Sequence, residues 1–155
     1  MKISGGYTLA APQERVFALL QDPVVLAQCM PGCEALDRIA DNEYAMRLKM
    51  VLASIKGLFE GKIRVADSNP PSSFRLIVDG TGKIGFIHGD GLLHLSPADA
   101  GTTVNFEGDV QIGGTIAGVG QRLLDTTARM LIKRFFDRLT GETERGEETV
   151  RRAAD

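Results

Sequence analysis

The sequence predicts an α+β fold in which a bent antiparallel sheet wraps around one long C-terminal helix. Three observations carry this. From Tyr44 to Ile112 apolar residues alternate with polar ones in short runs separated by turns, as strands with one dry face do. After Gly113-Gly114 the period changes, and Ala117, Leu124, Ala128, Leu131, Phe135 and Leu139 make a helical stripe widened by Leu123, Met130, Ile132 and Phe136. Two short helical patterns separate the first strand from the others.

Lys2 to Leu9 alternates with Ile3, Tyr7 and Leu9 on one side, which is a strand. Pro12 opens a helix with Glu14 in its first turn and Val16, Phe17, Leu19 and Leu20 on its apolar side. Asp22-Pro23 restarts a second short helix, Asp22 as cap and Pro23 at the first position. Met30-Pro31-Gly32 ends it. Leu36 to Ile39 is a short strand, and Asp41-Asn42 turns into the run Tyr44, Met46, Leu48, Met50, Leu52. The chain turns at Ser54 to Gly57 and continues as Phe59, Gly61, Ile63, Val65. A loop from Asp67 to Ser72 precedes Phe74, Leu76 and Val78. Strands over Phe86 to Leu95 and Val104 to Ile112 follow. Glycines inside strands, at 61, 89, 91 and 108, suit bends or bulges. The expected organisation is a single domain over 1–140 and a charged, flexible tail over 141–155.

Composition bounds the function. The 155 residues suffice for one domain with a core, and 43% hydrophobic with 25% charged residues is ordinary for a globular protein. A formal net charge of -2 does not point to nucleic acid. No apolar run reaches the roughly 18 residues of a spanning helix, and the N-terminus lacks a signal-peptide core, so a cytoplasmic location is expected. Cys29 and Cys33, four apart, do not have a zinc or redox spacing and read as small packed residues. No metal site and no cofactor is expected.

The strand residues sharing the apolar parity include no carboxylate, lysine, histidine or cysteine. Acid–base or nucleophilic chemistry needs such groups in the pocket, so no catalytic residue is assigned and the expectation is a protein that is not an enzyme. The same face either fills a core or lines a cavity for an apolar molecule. The candidate lining is Met46, Met50, Phe59, Phe74, Leu76 and Phe106 from the sheet, with Leu124, Leu131 and Phe135 from the helix. His88 and His94 fall on the opposite parity and are too far apart, roughly 20 Å along a strand, to share an ion. The glycine-rich segment 113–120 matches neither the dinucleotide nor the P-loop fingerprint. Its small residues let the helix come close to the sheet. Arg122, Arg129 and Lys133 form a basic stripe on the helix, which is either a solvated face or, beside an exposed Phe136 or Met130, a surface for anionic lipid or an acidic partner.

Cys29-Met30-Pro31-Gly32-Cys33-Glu34 after two short helices, with Gly114-x-x-Ala117-x-x-Gly120-x-Arg122-Leu123-Leu124 and Lys133-Arg134-Phe135-Phe136, resembles the CoxG family of carbon monoxide dehydrogenase subunits. That family belongs to the START-like (SRPBCC) helix-grip superfamily of the birch pollen allergen. The resemblance covers residues 1 to 140. It implies a helix-grip domain with a cavity under the long helix. It also implies a non-catalytic accessory role beside a molybdenum-containing hydroxylase of the CO dehydrogenase kind, attaching that enzyme to the membrane. Many members end in a hydrophobic anchor, whereas this chain ends in charged residues from Glu142 to Arg152. Transient docking at the inner face of the cytoplasmic membrane is therefore the expectation, with Pro31, Gly32 and the Arg122, Arg129, Lys133 stripe as the partner or membrane surface. Joined to the apolar face, this gives a quinone or isoprenoid lipid as the expected ligand. The alternatives are a docking or assembly factor without ligand, and a small-molecule enzyme of the polyketide cyclase type.

Overall fold

The computed structural model describes the backbone of residues 1–154 and the side chains of 1–143. Seven strands form one antiparallel sheet: β1 (Lys2–Leu9), β2 (Cys33–Ala40), β3 (Glu43–Leu52), β4 (Ile55–Asn69), β5 (Ser73–Gly82), β6 (Gly85–Ala98) and β7 (Gly101–Gly113). The helices are α1 (Gln13–Leu19), α2 (Pro23–Cys29) and α3 (Gln121–Ala154), with a 3-10 turn over Thr115–Val119. The sheet order β1-β7-β6-β5-β4-β3-β2 leaves β1 and β2 as edges. Strands β2 to β7 are sequential neighbours joined by hairpins, and β1 closes onto β7, as the regular alternation predicts.

The registers put every apolar-parity residue on one concave face. Met46 lies opposite Gly61, Leu48 opposite Phe59, Leu76 opposite Gly91 and Leu93 opposite Phe106. Gly61 also faces Gly80 across β4 and β5. A Cβ at Gly61 would lie 1.7 Å from the Asp79 carbonyl oxygen, so the sheet bends there at a place only glycine tolerates.

Asp22 caps α2 as expected, its carboxylate accepting from Val24 N–H at 2.9 Å with Pro23 at the first position. Pro12 is the N-cap of α1 and not its first residue. Helix α2 ends at Cys29, and the turn that follows passes through Gly32, whose φ of 81° favours glycine. A Cβ there would sit 2.1 Å from the Lys49 carbonyl oxygen, while Lys49 N–H donates to Gly32 O at 2.8 Å. Pro31-Gly32 thus pins α2 to β3.

Helix α3 runs further than the apolar stripe indicates. Gly141 is a breaker signal, yet the helix passes through it at a cost of about 1 kcal/mol. Thr140 Oγ1 donates to Phe136 O at 2.9 Å and buried Thr143 donates to Thr140 O at 2.7 Å, so the polar groups of this turn are satisfied inside the helix. The expected flexible tail otherwise lies outside the described side chains. No described helix is long and apolar enough to cross a membrane.

One buried polar group ties the chain's start to β7. Thr102 is 0% exposed and donates to Ala11 O at 2.7 Å. Thr102→Val leaves that carbonyl without its partner and is expected to lower stability by about 1–3 kcal/mol, read from the denaturant midpoint.

Candidate functional site

Two buried clusters lie between the sheet and the helices. At the end near α1 and α2, Tyr44, Met46, Ile63, Val65, Phe74 and Val104 pack with Phe17, Leu26, Phe136 and Leu139. Phe74 meets Phe17 edge to face at 5.5 Å. At the other end Leu52, Phe59, Ile116 and Leu124 are buried together. Between them the inward residues of β5 to β7 (Leu76, Val78, Leu93, Phe106, Val110) are only half-buried.

The floor of this middle region has no side chains. Gly89 lies opposite Val78 and Val110, and Gly91 opposite Leu76 and Gly108, so three glycines share the inward face of β6 and β7. A Cβ at Gly89 would meet only Val110 and Val78, both at 3.9 Å, and one at Gly91 only the Glu107 carbonyl oxygen at 3.6 Å. Nothing from α3 sits over them at that range. The nearest backbone neighbours of α3 are instead α2, the 3-10 turn and edge strand β1. A recess of about 290 Å³ opens between β1 and α3, lined by Ile3, Gly5, Tyr7, Phe106 and Ile132, with Lys2 and Arg129 also on its wall. A second, of about 360 Å³, lies between α2 and α3 beside Gln28, Cys29 and Arg138.

The candidate lining residues therefore divide. Leu76 and Phe106 are half-buried against the first cluster, beside the glycines of β6 and β7, while Met46, Phe59, Phe74 and Leu124 are buried in the clusters themselves. Met50 and Phe135 are half-buried against those clusters, and Leu131 is half-buried in α3. From sequence, Gly89, Gly91 and Gly108 read as bends or bulges and Ile132 as part of the helix stripe, and neither is placed at a site. The floor was legible as glycines of inward parity, although parity alone does not separate a bend such as Gly61 from a floor such as Gly89.

Phe136 is a correction. From sequence it counts in the apolar stripe and, in one reading of the basic stripe, Phe136 or Met130 is offered as an exposed neighbour. Met130 is 41% exposed, but Phe136 is 4% exposed and stacks on Tyr7 at 4.3 Å. Where α3 crosses β1, the helix face at 136 turns inward, so Phe136 joins the core and Phe135 meets it edge on at 5.2 Å.

The helix stripe is largely neutralised. Arg129 pairs with Asp125 at 3.2 Å and Lys133 with Asp137 at 2.6 Å, which holds the Lys133 ammonium above its ordinary pKa. Arg122 and Gly32 are exposed and Pro31 is half-buried.

His88 is on the convex face bonded to Asp79, and His94 is exposed there as well. No disulfide joins Cys29 and Cys33. Burial pushes the Cys33 thiol up, away from thiolate chemistry. Among the described residues no cluster of His, Cys, Asp and Glu could hold a metal ion.

Most of the chain superposes on known folds. It is 32% identical to a conserved protein from Geobacillus kaustophilus, covering 94% of this chain and 96% of that one, with a TM-score of 0.89. A START superfamily protein from Mycobacterium smegmatis matches at 14% identity, 93% and 97% coverage and a TM-score of 0.70. The ZhuI aromatase/cyclase from Streptomyces sp. R1128 matches at 16% identity, 94% of each chain and a TM-score of 0.66. These last two establish the START-like helix-grip fold alone. No curated protein matches the sequence. The family model for the CoxG subunit of carbon monoxide dehydrogenase matches residues 5–143, and this chain belongs to the carbon monoxide dehydrogenase CoxG family.

Proposed function

We propose that this protein is a non-catalytic accessory subunit of a molybdenum-containing hydroxylase of the CO dehydrogenase kind. It holds an apolar ligand, a quinone or isoprenoid lipid, between sheet and α3, and docks the enzyme transiently at a membrane. The observation that carries the ligand half is the glycine floor at 89, 91 and 108 under half-buried Leu76, Val78 and Phe106. Strand glycines cost stability and here bring no close packing in return at 89 and 91. A ligand that fills the space supplies it. Each buried methylene contributes about 0.8 kcal/mol, so a few isoprene units suffice without polar contacts. The accessory half rests on the family match.

The test is extraction of the protein purified from its own host, followed by lipid mass spectrometry. A stoichiometric quinone or isoprenoid is the expected result. An empty extract, repeated after saturation with host membranes, would make the protein a docking factor without ligand. The aromatase/cyclase of the same fold favours a second reading as a small-molecule enzyme. It would need a titratable group in the cavity, and Tyr7, on the wall of the β1–α3 recess, is the phenol to test.

A further inference from the structure

The end of the sheet formed by the β3–β4 and β5–β6 turns carries charge of one sign. The segments 49–59, 80–87 and 110–124 hold Lys49, Lys56, Lys83 and Arg122 and no Asp or Glu, in a chain of formal net charge -2. The fold draws them together. Ile116 N–H donates to Ile84 O at 2.8 Å, and a Cβ at Gly57 would lie 2.2 Å from Ile84 Cδ1. All four cations are exposed, and none is salt-bridged among the described residues. The acids that flank these segments are engaged elsewhere: Glu60 with Arg47 at 3.7 Å, Asp79 with His88, Asp109 with the N-terminal ammonium at 3.2 Å and Asp125 with Arg129 at 3.2 Å.

Apolar side chains stand among these cations. Val51 is 54% and Phe86 46% exposed, both on the convex face. Val51 lies opposite Lys56, and Lys49 opposite half-buried Leu58, so cation and hydrocarbon alternate across the surface. Lysine stems beside exposed apolar groups fit a headgroup layer, where the stem rests on hydrocarbon and the ammonium reaches phosphate.

We infer that this tip is the surface by which the protein rests on an anionic bilayer. The inference builds on the membrane half of the proposed function, keeps Arg122 from the α3 stripe, and replaces Arg129 and Lys133 as its surface. The stripe's Arg129 and Lys133 have their own carboxylates, whereas the tip's cations do not. The Leu52, Phe59, Ile116, Leu124 cluster lies directly behind the tip, so docking sets one end of the apolar space against the bilayer.

The experiment is cosedimentation with vesicles of phosphatidylglycerol and phosphatidylcholine in equal parts, at low and high salt. Wild-type protein binds the mixed vesicles and not pure phosphatidylcholine, and high salt releases it. Lys56→Glu/Lys83→Glu weakens binding by at least about 25-fold, since each basic residue near such a surface contributes about fivefold and the new carboxylates are repelled as well. Val51→Ser weakens it at unchanged charge. Arg129→Glu/Lys133→Glu stays much closer to wild type than the tip variant does. Circular dichroism confirms that each variant is folded. Wild-type protein that ignores anionic vesicles overturns both the tip and membrane docking, and leaves an acidic protein as the tip's partner. Wild-type binding that survives Lys56→Glu/Lys83→Glu, or that the α3 variant removes, overturns the tip alone. The vesicles contain no quinone or isoprenoid, so the ligand half of the reading is not at stake.

Discussion

Gly89→Phe is expected to remove apolar ligand binding and leave the fold intact. A Cβ at this position meets Val110 and Val78 at 3.9 Å, which is ordinary van der Waals contact, and the backbone is not in the left-handed region. Glycine inside a strand is a cost, so a β-forming aromatic there holds or raises the thermal midpoint. The ring projects from the middle of the concave face into the space the ligand would use. Displacing three or four methylenes of ligand costs about 3 kcal/mol, more than 100-fold in affinity. The measurement pairs a thermal melt with titration of a quinone or isoprenoid probe. A variant that melts far below wild type shows the floor was already covered by protein. A stable variant that still binds puts the ligand elsewhere, and the β1–α3 recess, which Gly89 does not line, is then the place to probe.

The contrast between Gly89 and Gly61 shows how far the sequence could be read. Both are inward-parity strand glycines. Gly61 is forced by the Asp79 carbonyl 1.7 Å from a Cβ, whereas Gly89 is forced by nothing nearby. The difference arises from strand coiling and from where α3 crosses, which are properties of the assembled sheet. The seven strands and their dry face were legible because the alternation is a local rule, and the sheet obeys it from Tyr44 to Ile112. The division of that face into fully buried clusters and half-buried residues beside the glycines was not local. Leu76 and Leu124 look alike as apolar residues in periodic runs, yet one is half-buried and the other is in an end cluster. The neutralised helix stripe was within reach, because Asp125–Arg129 and Lys133–Asp137 are both four apart, the spacing at which helix side chains meet. The basic tip was not, since its four cations come from three separate segments that only the β-turns and the 3-10 turn bring together.

Phe136→Ala should be the most damaging truncation on α3. The ring is 4% exposed, lies parallel to Tyr7 at 4.3 Å and stands 6.0 Å from Phe106. Removing it leaves a cavity between helix and sheet and costs about 3–5 kcal/mol. At about 2–4 °C per kcal/mol for a chain of this size, the thermal midpoint should fall by roughly 10 °C. Phe135→Ala, at a half-buried site, should cost clearly less. The apolar stripe read from sequence predicts the reverse order, so the pair of melts decides between a helix face centred on 135 and one centred on 136. The functional consequence follows from position. Phe136 stacks on Tyr7, a wall of the β1–α3 recess, and so ties the helix to the sheet's edge strand. Loosening that tie at a temperature where the variant is still folded widens the recess, and a bound apolar ligand should then exchange faster than in wild type. If exchange is unchanged while the midpoint drops, the ligand does not pass between β1 and α3, and the α2–α3 recess and the tip in front of Leu52 and Ile116 are the other ways in to test.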